Sequence, residues 1–258
     1  MWVGADVAMR TAFGRLSIAV VVVALACGSG NEVESAKNAT DAKNNMSVPK
    51  GSGAGDSAAA SAVASSPSGA KPVVLFFGTS LTAGLGLDPS QAFPSLIEKK
   101  AEADGVPITA INAGLSGETT AGAARRIDWV LRTPVDVVVI EGGANDALRG
   151  LSPDAARTNI ERVIDVIRQK QPRAKIVLVQ MEAPPNYGAT YTRSFRAIYT
   201  DIAKRENIPL VPFLLAGVAG ISRYNQADGV HPNLPGERIV ADNIWRALKL
   251  IVGTGTVR

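Results

Sequence analysis

Five short apolar runs, separated by stretches with helical spacing, constrain this chain more than any other feature. "VVLFF" (73–77), "PITAINAG" (107–114), "VDVVVIEGG" (135–143), "AKIVLVQM" (174–181) and "IPLVPF" (208–213) each have strand length. The most continuous Val/Ile/Leu runs among them suit strands covered on both faces. Helical patterns fill the intervals, over 90–105, 120–133, 152–172, 192–207 and about 235–252. The third of these opens with Ser152 as N-cap and Pro153 at N1, and sets Ile160, Val163, Ile164 and Ile167 at helical spacing. Strands alternating with helices predict an α/β fold: a central, mostly parallel five-stranded sheet between two helical layers. Functional groups in such sheets collect beyond the carboxyl ends of the strands. The loops to search are therefore 78–86, 113–119, 141–150, 181–191 and 214–234.

The first seventy residues have a different composition. Arg10 and Arg15 precede a largely apolar run from Leu16 to Ala26, too short for a comfortable membrane span but right for a signal-peptide core. The run ends in "ALAC", and Cys27 followed by Gly28 resembles a bacterial lipobox, with Ala24 where Leu, Val or Ile is usual. Residues 1–26 are expected to be a signal peptide and Cys27 a lipidation site, with plain secretion as the alternative. Residues 27–71 are rich in Ser, Ala, Gly, Asn and Lys, and bury too little apolar surface to offset ordering entropy. They are expected to form a flexible tether ahead of a domain at 72–258. Either route predicts export, and the first predicts a membrane-anchored lipoprotein of the bacterial envelope.

The net charge of +4 includes no contribution from residues 1–70, which carry five Lys/Arg against five Asp/Glu. A mild basic bias without a Lys/Arg run argues against nucleic acid as a partner. One cysteine and one histidine leave no internal disulfide and no zinc site of the usual kinds.

That histidine, His231, lies in "ADGVHPN" (227–233), three residues after Asp228. A carboxylate at this range can hold one ring nitrogen while the other faces a nucleophile. The matching hydroxyl is Ser80 in "FFGTSLTAG" (76–84). A serine needs an adjacent base to attack at neutral pH, although here it could equally cap the segment that follows. Acyl transfer also needs donors for an oxyanion. Gly117 in "SGETT" (116–120) and Asn145 in "GGANDALRG" (142–150) could supply them, or could serve a turn and an Asx-turn.

Taken together, "FFGTSLTAG", "NAGLSGETT", "EGGANDALRG" and "ADGVHPN" resemble the SGNH hydrolases, also called the GDSL esterases, across most of residues 73–250. "PPNYGATYTRSFRAIY" (184–199) is similar to the thioesterase/lysophospholipase and arylesterase branch. The resemblance implies a three-layer, flavodoxin-like fold, no metal or other cofactor, and an ester or thioester substrate, small or lipid. It implies Ser80 as nucleophile and backbone oxyanion donor, Gly117 and Asn145 as further donors, His231 as base and Asp228 as its orienter. The family often has Asp before the serine; Thr79 stands there instead. Two other readings remain beside this one: a carbohydrate or peptidoglycan O-acetyl esterase, and a non-catalytic binding lipoprotein.

Overall fold

The computed structural model describes residues 70–253. The leader, Cys27 and nearly all of the tether lie outside the described residues.

All five apolar runs form strands: β1 (Val73–Gly78), β2 (Thr109–Gly114), β3 (Val137–Ile140), β4 (Lys175–Val179) and β5 (Leu210–Val211). They pair in the order β2-β1-β3-β4-β5, and every pairing is parallel. β3 is buried along its whole length and β1 at all but its first residue, as expected for strands covered on both faces. β2, at one edge, is only partly covered. β5 is reduced to two paired residues because Pro209 and Pro212 bracket it and supply no N–H to a ladder.

Helices α1 (Ser80–Ala83), α2 (Phe93–Ala103), α3 (Thr120–Val130), α4 (Ala144–Leu148), α5 (Pro153–Lys170), α6 (Gly188–Glu206) and α7 (Leu234–Gly253) fill the intervals. The segment expected as one helix over 90–105 is broken at its start. Asp88 and Gln91 form a capping box around a 3-10 turn, and α2 begins only at Phe93 with Pro94 in its first turn. α5 has the expected cap, the Ser152 hydroxyl accepting from the Ala155 N–H at 3.4 Å, and buries Ile160, Val163, Ile164 and Ile167. α6 starts four residues before the expected 192, because a 3-10 turn at Pro185–Tyr187 feeds directly into it.

α2 packs on α7, while α3, α5 and α6 pack side by side. Right-handed crossovers put the two groups on opposite faces of the sheet, giving the three layers. The order of connection reverses between β1 and β3, since the chain leaves β1 for β2 on one side and returns to β3 on the other. Such a switch point opens a crevice at the carboxyl ends of the strands, where ligands bind in open α/β sheets. The loops after β1, β2 and β3 all meet there.

Candidate active site

The sharp turn after β1 delivers Ser80 to that crevice. Thr79, not Ser80, is the N-cap of α1: its hydroxyl accepts from the Leu81 N–H at 3.4 Å. Ser80 is therefore the first helical residue and its own hydroxyl is released from capping. That hydroxyl lies 2.9 Å from His231 Nε2, and His231 Nδ1 lies 2.6 Å from Asp228 Oδ2. With the proton on Nδ1, the ring donates to Asp228 and accepts from Ser80, the arrangement a general base requires.

The loop before α7 is built to hold that geometry. Asp228 Oδ1 accepts from the backbone N–H groups of Val230 (2.9 Å) and His231 (3.0 Å), folding residues 228–231 into a tight turn. The imidazole bond and these two amides pull the Asp228 carboxyl down to about 2, so it is ionised throughout the neutral range. Gln226 joins this loop to the Ser80 loop: its side-chain amide donates to the carbonyls of Leu85 (2.7 Å) and Pro232 (2.9 Å), and its N–H to the His231 carbonyl (2.8 Å).

The remaining two expected residues come from the loops after β2 and β3. Gly117 has φ +77°, and a Cβ there would approach nothing closer than Arg149 Nη2 at 4.0 Å. Conformation rather than space therefore requires glycine. Asn145, near the start of α4, donates through Nδ2 to the Glu118 carbonyl at 3.0 Å, and Arg149 donates to the Gly117 carbonyl at 3.1 Å. Neither the Ser80 nor the Gly117 N–H meets a protein acceptor among the described residues. Both amides, with the second hydrogen of Asn145 Nδ2, remain available to an oxygen in the crevice.

Several supporting residues were not singled out from the sequence. Buried Asp146 accepts from the Thr120 N–H (2.9 Å) and hydroxyl (2.6 Å), fixing the start of α3 to α4. Glu118, also buried, pairs with Arg126 through two bonds of 2.8 and 2.6 Å. Glu141, at the end of β3, accepts from Thr79 and Thr82, on either side of Ser80. Asp146 and Glu141 lie in the stretch "EGGAND" that also contains Asn145, and this proximity is the one signal that could have flagged them.

The model of the GDSL-like lipase/acylhydrolase family matches residues 76–239. The chain belongs to this family. Esterase TesA of Pseudomonas aeruginosa is 38% identical over 181 residues, spanning 70% of this chain and 89% of that protein. The arylesterase of Vibrio mimicus is 34% identical, over 71% and 92% of the two chains. Thioesterase 1/protease 1/lysophospholipase L1 of Escherichia coli is 32% identical, over 70% and 84%. Among solved structures, TesA aligns with a TM-score of 0.66 at 37% identity, covering 69% of this chain and 99% of its own. The psychrotrophic esterase EstA from Pseudoalteromonas sp., inhibited by monoethylphosphonate, aligns at 0.67 with 32% identity, covering 71% and 100%.

As a GDSL hydrolase, the chain is an ester-bond hydrolase of the serine esterase type. The five loops expected from the strand pattern include the four that bring Ser80, Gly117, Asn145 and the Asp228–His231 pair to one crevice. A cavity of about 520 Å³ borders it at Gly117. Arg125, Arg126 and Arg149 line its wall, and Arg126 alone of the three has a carboxylate partner among the described residues.

Proposed function

We propose that this GDSL hydrolase cleaves carboxylic esters and thioesters through an acyl-enzyme on Ser80. The observation that carries the reading is the unbroken chain from Ser80 Oγ to His231 Nε2 and from Nδ1 to Asp228. Ser80 Oγ attacks the carbonyl carbon as its proton passes to Nε2. The carbonyl oxygen becomes an oxyanion facing the Ser80 and Gly117 amides and the Asn145 side chain. Collapse expels the alkoxide or thiolate, which takes the proton from His231. Water then attacks the acyl-enzyme, giving up a proton to His231, and Ser80 leaves with that proton as the acid is released. Asp228, ionised throughout, stabilises the imidazolium in both halves of the reaction.

Relatives named arylesterase and lysophospholipase support esters with a sizeable leaving group. Arg125 and Arg149, which have no carboxylate partner among the described residues, favour substrates carrying an anionic group, lysophospholipids among them, over neutral acetylated sugars. Export, with Cys27 as a lipid anchor, fits the leader and is part of this proposal.

Ser80→Ala is expected to abolish both the burst with p-nitrophenyl acetate and labelling by a fluorophosphonate, while the wild type shows both. Turnover by the variant at the wild-type rate would remove Ser80 from the reaction. A screen of acyl-chain lengths, thioesters, lysophospholipids and acetylated sugars then separates the substrate classes.

A further inference from the structure

Ser80 makes few contacts of its own. Its hydroxyl meets His231, its N–H meets no protein acceptor among the described residues, and its carbonyl, accepting from the N–H groups of Gly84 and of Leu85 (3.0 Å), ties it to the turn. Its placement is therefore set mainly by its neighbours, and these converge on one buried side chain. Glu141 Oε2 accepts from the Thr79 N–H at 2.7 Å and from the Thr82 hydroxyl at 2.9 Å. The Thr79 hydroxyl lies 3.0 and 3.1 Å from the two carboxyl oxygens and at the same time caps Leu81.

We propose that Glu141 is a positioning residue for the reaction: from the end of β3 it clamps Thr79 and Thr82, and so orients the hydroxyl and the amide of Ser80. The inference rests on Ser80 being the nucleophile. A carboxyl group buried to 3% exposure is costly unless it is hydrogen-bonded, and here all of its bonds come from one turn. The turn and the carboxyl group thus stabilise each other. Gly78 completes the clamp, since a Cβ there would overlap both Thr82 Oγ1 and Glu141 Oε2.

Threonine at position 79 bears directly on this. A hydroxyl can donate to a carboxylate or accept from a carboxylic acid, so the Thr79–Glu141 contact stands in either protonation state. Burial raises the Glu141 carboxyl above its ordinary range, which makes tolerance of both states useful. An aspartate at 79 would instead face Glu141 across about 3 Å, where two acids must share a proton and separate once both ionise. Tyr199 of α6, whose hydroxyl donates to the Gly142 carbonyl, is the titratable side chain on the helical side of Glu141. Burial pushes its phenol well above the usual range, so it stays neutral throughout an assay near neutral pH.

The test compares purified, folded variants by kcat, KM, fluorophosphonate labelling rate and thermal midpoint. Glu141→Ala is expected to lower kcat and the labelling rate together, by up to about a hundredfold, the scale of a nucleophile displaced by about 1 Å. KM should change little, and Glu141→Gln, which keeps an acceptor for Thr79 and Thr82, should restore most of the rate. Thr79→Asp is expected to lose kcat as pH rises, unlike the wild type. Adding Glu141→Gln to it, so that an amide faces the aspartate, should remove that alkaline loss. If Glu141→Ala does not fold, Thr79→Asp with and without Glu141→Gln decides alone. Wild-type kcat in folded Glu141→Ala, or a Thr79→Asp profile that Glu141→Gln leaves unchanged, overturns the positioning role. Ser80→Ala in parallel separates the two proposals: activity there removes the nucleophile, whereas an inactive Ser80→Ala beside fully active Glu141 variants removes only the clamp.

Discussion

Two buried glutamates lie on different parts of this molecule and meet opposite conditions. Glu141, beneath the turn that carries Ser80, receives the Thr79 amide and two hydroxyls. Glu237, in the first turn of α7 where that helix packs on α2, is 1% exposed and receives the Phe93 N–H at 2.8 Å as its one side-chain hydrogen bond among the described residues. Burial raises both carboxyl groups. At Glu141 the amides and hydroxyls of Thr79 and Thr82 oppose the shift, whereas at Glu237 the Phe93 amide opposes it alone and the group rises to about 8. Burial alone therefore does not give a carboxyl group a role. At the carboxyl end of the sheet the carboxyl group ties together the turn that carries Ser80; at the α2–α7 seam it makes one of several contacts between two helices.

The contrast predicts that the seam governs stability and the crevice governs rate. The largest effect is expected at the seam. Glu237 keeps its proton in the fold up to about pH 8, while in the unfolded chain it loses it near the ordinary value of 4.5. The fold binds the extra proton, so this contribution is fully present below pH 4.5 and is lost as pH rises through 8. At about 1.4 kcal/mol per pH unit, the loss is on the order of 5 kcal/mol across that window. Urea unfolding of the wild type should show this decline, and Glu237→Gln should flatten it while leaving kcat unchanged. A wild-type stability that stays level from pH 5 to 9 would break the contrast from the seam side.

Next in size is Asn145→Ala, which removes one proposed oxyanion donor and its bond to the Glu118 carbonyl. It is expected to lower kcat by about a hundred- to a thousandfold, with a thermal midpoint close to that of the wild type. Comparable losses of stability and rate in this variant would mean that the crevice also holds the fold together. The smallest effect belongs to a position in neither region. Ser152→Ala removes the α5 cap and should cost about 1 kcal/mol of stability, with no change in kcat.

Much of this organisation is legible in local chemistry. Ser152 and Pro153 mark the start of α5 because a cap and a proline at N1 act within one turn. Asp228 and His231 are recognisable as a pair because three residues separate them and a tight turn brings their side chains together. Ser80 is harder, since a serine after a strand and a glycine reads equally as a cap. Thr79, which takes the capping role, resolves this only once the turn is built. The helix boundaries at 90–105 and 192–207 shift for a similar reason: 3-10 turns at Pro89–Gln91 and Pro185–Tyr187 carry no periodic apolar signal.

By itself, the sequence determined the succession of strands and helices, the loops that meet at the crevice and the candidate Ser, Gly, Asn, Asp and His within them. Those properties follow from periodicity and from motifs a few residues long. Only the tertiary structure decided that β1 lies between β2 and β3, because strand order arises from pairing across long separations. That order puts Glu141 under Thr79 and Thr82, some sixty residues away in the chain, and no local pattern encodes such a distance. It likewise decided that Glu141 is held by many donors and Glu237 by one, since a buried carboxyl group takes its character from the groups that packing brings to it.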